Sequence, residues 1–187
     1  MGLLFEVLGV NYGIPFGKYS YSSVMPRLFG VQIMVPLFWF VITYTSFYLA
    51  VLLTSGRISL TTCFLTSLFS TAWDVILDPV MCNIIGAWHW ESKGVFFDIP
   101  LSNYLGWLLV SFLISLTYKA MVERVSLKRF VSIIPIANYL TLYSALASVA
   151  FYKGKFEYSV AGAIAMFPVL ILSCIKVWRG VSRGVKS

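Results

Sequence analysis

The apolar and polar positions of this chain alternate in long blocks. Val31 to Leu53 is free of charge, and similar runs follow at Ile58 to Cys82, Leu101 to Tyr118, Phe130 to Tyr152 and Tyr158 to Ile175. A helix needs about 20 mostly apolar residues to cross a hydrocarbon core of about 30 Å. An open sheet in lipid would leave backbone groups unpaired, so each run is read as a helix. The expected fold is all-α: a polytopic membrane bundle of about five transmembrane helices in a single membrane domain, preceded by an interfacial segment over residues 1–30. Pro36 falls early enough in its run to be tolerated, Pro79 is expected to stop or kink the second helix, and Pro135 to kink the fourth. Ala161, Gly162, Ala163 and Ala165 would let the fifth approach a neighbour closely.

Composition agrees with that pattern. Only 11% of the residues are charged, against about 25% in soluble domains. The formal net charge of +7 is unevenly placed. One side would carry Lys18, Arg27, Lys93, Lys153 and Lys155; the other Arg57, Lys119, Arg124, Lys128, Arg129, Lys176, Arg179, Arg183 and Lys186. The richer side is expected to be cytoplasmic, with the charge serving topology and attraction to anionic membrane lipid, and no nucleic acid is needed to explain it. A multi-pass protein of the cell membrane is the expectation. MGLLFEVLGV lacks the basic start of a cleavable signal and places Glu6 in its apolar stretch. Cys63, Cys82 and Cys174 lie far apart and read as packing residues, with neither a disulfide framework nor a zinc site.

Ionisable residues inside a membrane mark candidate function. Asp74 and Asp78 are four residues apart, hence on one helix face, and Ser67, Ser70 and Thr71 continue the stripe. An ionised carboxylate in lipid costs at least about 2.5 kcal/mol, so the pair either finds partners or keeps a proton. The plain alternative is a pair at the interface tied to Lys18 or Arg27. By the expected topology Glu6, Tyr19, Tyr21, Trp88, Trp90, Glu91 and Asp98 lie toward the same membrane face. Asn103, Gly106 and Trp107 recur at helical spacing there, and Asn138 lies on the fourth span. Tryptophans at headgroup depth are ordinary anchors, which is the competing account of Trp88 and Trp90. His89, the one histidine, lies between them in a loop without companions for a metal site.

Several strings carry a resemblance. Glu6-x-x-Gly9 with FGKYSYSSVMPRLFGV (16–31), AWDVILDPVM (72–81), GAWHWESKG (86–94) and IPLSNYLGW (99–107) resemble, in order and spacing, the membrane carotenoid-biosynthesis family of gamma-carotene and bisanhydrobacterioruberin hydratase type. Motif-level likeness covers roughly the first 110 residues; the remainder matches as hydrophobic helices. Members usually run longer, with membrane helices ahead of the glutamate motif, so the resemblance implies that N-terminal helices are lacking here. Asp98 stands where the pattern carries glycine, and Gln32 where proline is common. The implied activity is a hydro-lyase adding water to the terminal double bond of an acyclic carotenoid end group, giving a tertiary alcohol. No cofactor and no metal is implied. The implied partners are a lipid-soluble carotenoid and other carotenoid-pathway enzymes.

Joined to the residues, this gives a scheme with Asp74, Asp78 and Glu6 as catalytic groups. A neutral Asp74 or Asp78 protonates the alkene, and the other carboxyl or Glu6 orients the attacking water. Trp73, Trp88, Trp90 and Trp107 are expected to face the carbocation, with Tyr19, Tyr21 and Asn103 positioning the substrate. Two readings compete. Asp-x-x-x-Asp could hold magnesium in a membrane prenyltransferase, although the later spans lack Asp and Glu. A transporter or assembly protein could use the acids as a proton relay.

Overall fold

A computed structural model describes residues 1–22, 25–122 and 133–184. Helix α1 (Gly2–Tyr12) leads into strand β1 (Tyr19–Tyr21) and the small ribbon β2 (Arg27–Leu28) and β3 (Val31–Gln32). Helices α2 (Met34–Leu53) and α3 (Leu60–Pro79) follow, the latter continuing as a π turn over Val80–Ile85. Strand β4 (Trp88–Trp90), then α4 (Leu101–Val122), α5 (Ile134–Tyr152) and α6 (Phe156–Gly184) complete the order. Among the described residues five helices are long and apolar enough to cross a membrane, spanning Met34–Leu53, Leu60–Ile85, Leu101–Val122, Ile134–Tyr152 and Phe156–Arg179. The chain is a helical, multi-pass membrane protein.

Boundaries shift for local reasons. Val31 and Gln32 pair as a strand with Leu28 and Arg27, so the first span begins three residues later than its apolar run. Ser59 accepts from the Thr62 backbone while Thr62 answers the Ser59 N–H, a capping box that starts α3. The expected stop near Pro79 is corrected in one respect: the α-helix ends there, but the chain stays helical beyond it. Proline supplies no N–H and its ring crowds the preceding turn, yet the helix widens into a π turn and runs on to Ile85. Gly86, at φ 69°, ends it in the left-handed region. The expected kink at Pro135 is also corrected, because that residue lies in the first turn of α5, where a missing N–H costs nothing. Phe130 to Ser132, assigned to that span, lie outside the described residues, as do Arg124, Lys128, Arg129 and Lys186 of the basic side.

The bundle shows apolar side chains outward and buries hydroxyls among its apolar core. Leu37, Phe40, Leu105, Ile164 and Ile171 face outward, while Thr43, Ser46, Thr66, Ser70, Ser111 and Ser115 are buried. Without a hydrophobic drive between helices, close approach and interhelical hydrogen bonds do the joining. Gly162 on α6 shows the first: a Cβ there would lie 2.8 Å from Cβ of Ile76 on α3. Asn138 Nδ2 donates to Thr45 Oγ1 at 2.8 Å, tying α5 to α2. Cys63 and Cys82 are buried as expected of packing residues, whereas Cys174 is exposed on α6.

One end of the bundle gathers the connections that matter. Asn83 donates to Tyr158 Oη at 3.2 Å, bringing the end of the π turn to the start of α6. Tyr19 pairs with Trp90, Ser20 with His89 and Tyr21 with Trp88 in an antiparallel ladder, where a loop is expected from sequence. Asp98 adopts φ 64°, a conformation that suits glycine and that aspartate tolerates better than most. That accounts for aspartate at a glycine position. Gln32 is buried and donates to the Ala87 carbonyl at 3.2 Å, fastening β3 to the chain entering β4. Replacing Gly162 by valine should force α3 and α6 apart and cost about 1–3 kcal/mol. Unfolding in mixed detergent micelles measures this; unchanged stability would refute the close contact.

Candidate functional site

The site begins with Pro79 and the turn it widens. Asp78 is the residue before it, and the π turn with Gly86 reverses the chain so that β4 returns over the helix end. Alternation along a strand then sorts its side chains. Trp88 is buried, His89 is exposed, and Trp88 Nε1 donates to Asp78 Oδ1 at 3.1 Å. In β1, Tyr19 and Tyr21 point inward and Ser20 outward. Asn103, one turn into α4, places a single amide nitrogen between two carboxyls. It donates to Asp74 Oδ2 and to Asp78 Oδ2, each at 2.5 Å.

Glu6 forms a second acid centre. It is 6% exposed although it sits in the N-terminal helix. Tyr19 Oη and Tyr21 Oη donate to its Oε2 at 2.5 and 2.6 Å, and Trp39 Nε1 donates to Oε1 at 2.7 Å. Gly9, one turn on, makes room: a Cβ there would meet Tyr19 Oη at 2.8 Å. Burial pushes the Glu6 carboxyl above its ordinary 4.5, while the bonds from Trp39, Tyr19 and Tyr21 pull it down. Burial, and then the charge of Glu6, push both tyrosine hydroxyls up, so they stay protonated donors.

These centres share one cavity of about 30 Å³. A water needs about 10–15 Å³ of such volume, so the cavity has room for water. Glu6, Asp78, Tyr19, Tyr21, Asn103, Trp88, Trp90 and Trp107 line it, which brings eight of the ten expected residues together. Asp74 and Trp73 are not on its wall. Asp74 is fully buried behind Asp78 and reaches the cavity through Asn103. Trp73 faces the other way and meets Tyr139 edge to face at 5.0 Å. Glu91 and Asp98 stay outside; Asp98 forms an exposed pair with Lys93 at 3.9 Å. The tie from Lys18 or Arg27 to the aspartates is replaced by neutral donors, and Arg27 instead donates to the carbonyls of Tyr21 and Ser22. Among the described residues no group of three or more His, Cys, Asp or Glu is arranged to hold a metal ion.

The sequence profile of the family described as "Carotenoid biosynthesis protein" matches residues 1–171. The chain belongs to this family. The match runs well past the motif-bearing first part, so the later spans of this carotenoid-biosynthesis protein belong to the family pattern as well. It is also similar to the bisanhydrobacterioruberin hydratase of Haloarcula japonica, 34% identical over 128 residues. That alignment covers 66% of this chain and 43% of the relative, so the likeness spans less than half of the relative's length. No solved structure matches.

Sequence reasoning missed Trp39 in this family member. It lies inside the charge-free run of α2, where nothing local marks it, and its ring stacks on Trp107 at 4.0 Å between centroids. Its spacing to Thr43 and Ser46 was the available signal, since buried hydroxyls mark the inner face of a span. Phe16, Val35, Phe38 and Leu77 complete the cavity wall and were also unforeseen. Trp39→Phe keeps a ring against Trp107 and removes the donor, withdrawing about 1.5–3 kcal/mol from the Glu6 anion. Infrared titration of labelled glutamate should then place Glu6 higher still. Because burial raises Glu6 above 4.5, the folded chain holds this proton to higher pH than the unfolded one, so stability should fall as pH rises from 4.5 toward the folded value, more so in the variant.

Proposed function

We propose that this protein is a carotenoid hydratase of the cell membrane, adding water to the terminal double bond of an acyclic end group without a redox step. The family and the hydratase relative support a carotenoid as the substrate class. The observation that carries the reading is the Asp74–Asn103–Asp78 cluster, with Asp78 on the wall of an aromatic cavity that Glu6 also lines.

In this reading Asp78 is the acid that meets the alkene, since it lines the cavity and Asp74 does not. Its proton goes to the less substituted carbon, and the π electrons form that C–H bond, leaving a tertiary carbocation. The faces of Trp88, Trp90 and Trp107 offset the charge by cation–π attraction, worth about 2 kcal/mol or more when desolvated. Bonds from Asn103 and Trp88 then hold the Asp78 anion. Water in the cavity adds to the tertiary carbon, and its proton passes to Glu6, whose oxygens Tyr19, Tyr21 and Trp39 orient. A proton returns from Glu6 to Asp78 across the shared cavity, so the sum is alkene plus water to alcohol.

The test is expression in a host that accumulates an acyclic carotenoid, with pigment mass analysis. The native chain should add one water per reacting end. Asp78→Asn and Glu6→Gln should each reduce product by about 10²- to 10⁴-fold at equal membrane content, and Asp74→Asn should fall between these and the native level. Unaltered pigment from the native chain, or full activity in Asp78→Asn, would sink the reading.

A further inference from the structure

Hydroxyls within the spans fall into two groups. Many return to their own helix, as Thr66 does to the Thr62 carbonyl at 2.8 Å, Thr71 to Ser67 at 2.9 Å and Ser148 to Ser144 at 2.7 Å. That is the ordinary way for such a side chain to satisfy itself. Thr43, Ser46, Ser70 and Ser111 do not: each is fully buried, and its hydroxyl has no hydrogen-bond partner among the described residues. The same is true of Oδ1 of Asp74.

Interhelical bonds fix where these five groups lie. The hydroxyls of Thr54 and Thr62 approach to 3.3 Å, which sets the antiparallel register of α2 and α3 and puts Ser46 level with Ser70 and Thr43 level with Asp74. Ser115 donates to the Cys63 carbonyl at 3.3 Å, and Asn103 reaches Asp74 and Asp78, so Ser111 lies level with the turn from Ser67 to Ser70. Helical spacing carries the same faces through. Thr43 and Ser46 share the α2 face that ends at Thr54, Ser70 sits one turn below Asp74, and Ser111 sits two turns below Asn103. Ser70 is about 6 Å along the axis from Asp74. Register and helix face thus place the groups along the seam between α2, α3 and α4, and none of them lines the cavity.

We propose that this seam is a binding site for buried water, in which Thr43, Ser46, Ser70 and Ser111 hold a short file of molecules ending on Oδ1 of Asp74. A buried polar group left unpaired costs about 1–3 kcal/mol, and five along one seam are met by bridging waters, each of which makes about three hydrogen bonds. The site follows from the geometry alone. Its task rests on the hydratase reading: water donating to Oδ1 makes that oxygen an acceptor and keeps the carboxylic proton on Oδ2, the oxygen facing Asn103 and Asp78. Ser70 is thus a positioning residue, acting through Asp74 on the acid that meets the alkene.

Infrared difference spectra of membranes holding the native chain or Ser70→Ala, in ordinary and in heavy-oxygen water, test the site without any carotenoid. The expected result is a water O–H band, identified by its shift in heavy-oxygen water, that disappears in Ser70→Ala. The carboxyl band abolished by Asp74→Asn should shift with it. Ser70→Thr keeps a hydroxyl and should keep the band, which separates loss of water from loss of fold. Ser148→Ala should change neither band. If no band sensitive to heavy-oxygen water differs between native and Ser70→Ala, the water site is overturned. Hydration should slow about tenfold in Ser70→Ala, less than on losing a direct general acid; an unchanged rate with the expected spectra overturns the task assigned to the water. If the native chain hydrates nothing, the spectra still decide the site.

Discussion

A carboxyl group withdrawn from water must be met by hydrogen-bond donors or hold its own proton, and among the described residues three of them are buried amid apolar side chains. The donors that meet them are neutral. Asn103 serves two carboxyls with one amide, Trp88 adds an indole, and Glu6 takes two phenols and a second indole. Each bond spans a long stretch of sequence. Glu6 is joined to β1 and α2, and the aspartates to β4 and α4, so the acid network also fastens the N-terminal segment and the return strand to the spans. Removing one partner of such a buried set leaves a polar group with nothing to bond, which costs more than the bond itself contributes.

Geometry follows from one residue that breaks a helical rule. Pro79 withholds an N–H just where α3 reaches the end of the bundle, and the wider turn that results carries the chain to Gly86 and back through β4. Strand pairing then imposes its two-residue alternation on both Tyr19-Ser20-Tyr21 and Trp88-His89-Trp90. Four aromatic side chains turn inward and the histidine turns out. A regular helix continued from Asp78 would have kept the tryptophans away from the carboxyl that Trp88 now bonds.

Much of this was legible in the sequence, for stated reasons. Charges inside a long apolar run have few explanations, so Asp74 and Asp78 identified themselves, and the five runs followed from the thickness of a bilayer. Asn103 and Trp107 were visible through their helical spacing near the acids. Helix α1 was not, because MGLLFEVLGV shows no amphipathic stripe: its one polar anchor, Glu6, is buried by partners 13, 15 and 33 residues away. Trp73 was assigned to the cavity from its place beside Asp74, but neighbours in a helix point about 100° apart, and it packs on Tyr139 instead. Trp39 needed the fold, since its role depends on meeting Glu6 from another element. Trp39, like Phe16 and Phe38, reaches the cavity through the fold alone, with no local mark in the sequence.

Glu6, Asp74 and Asp78 are all carboxyls and all buried, so residue type and burial cannot assign them different tasks. Hydrogen-bond supply can. Glu6 receives three donors, Asp78 receives two, and Asp74 receives one, with Oδ1 unmet among the described residues. Donated bonds favour the anion, so the ordering of donors is also an ordering of which group best carries negative charge. Under the proposed reaction that ordering runs the right way: Glu6 is suited to accept a proton from water, Asp78 to give one and be held afterwards, and Asp74 to keep one in reserve behind it. Assigning acid and base by unequal environments, with identical functional groups, is a general solution to running both steps at one pH. Here the inequality is built from one asparagine, two tyrosines and two tryptophans.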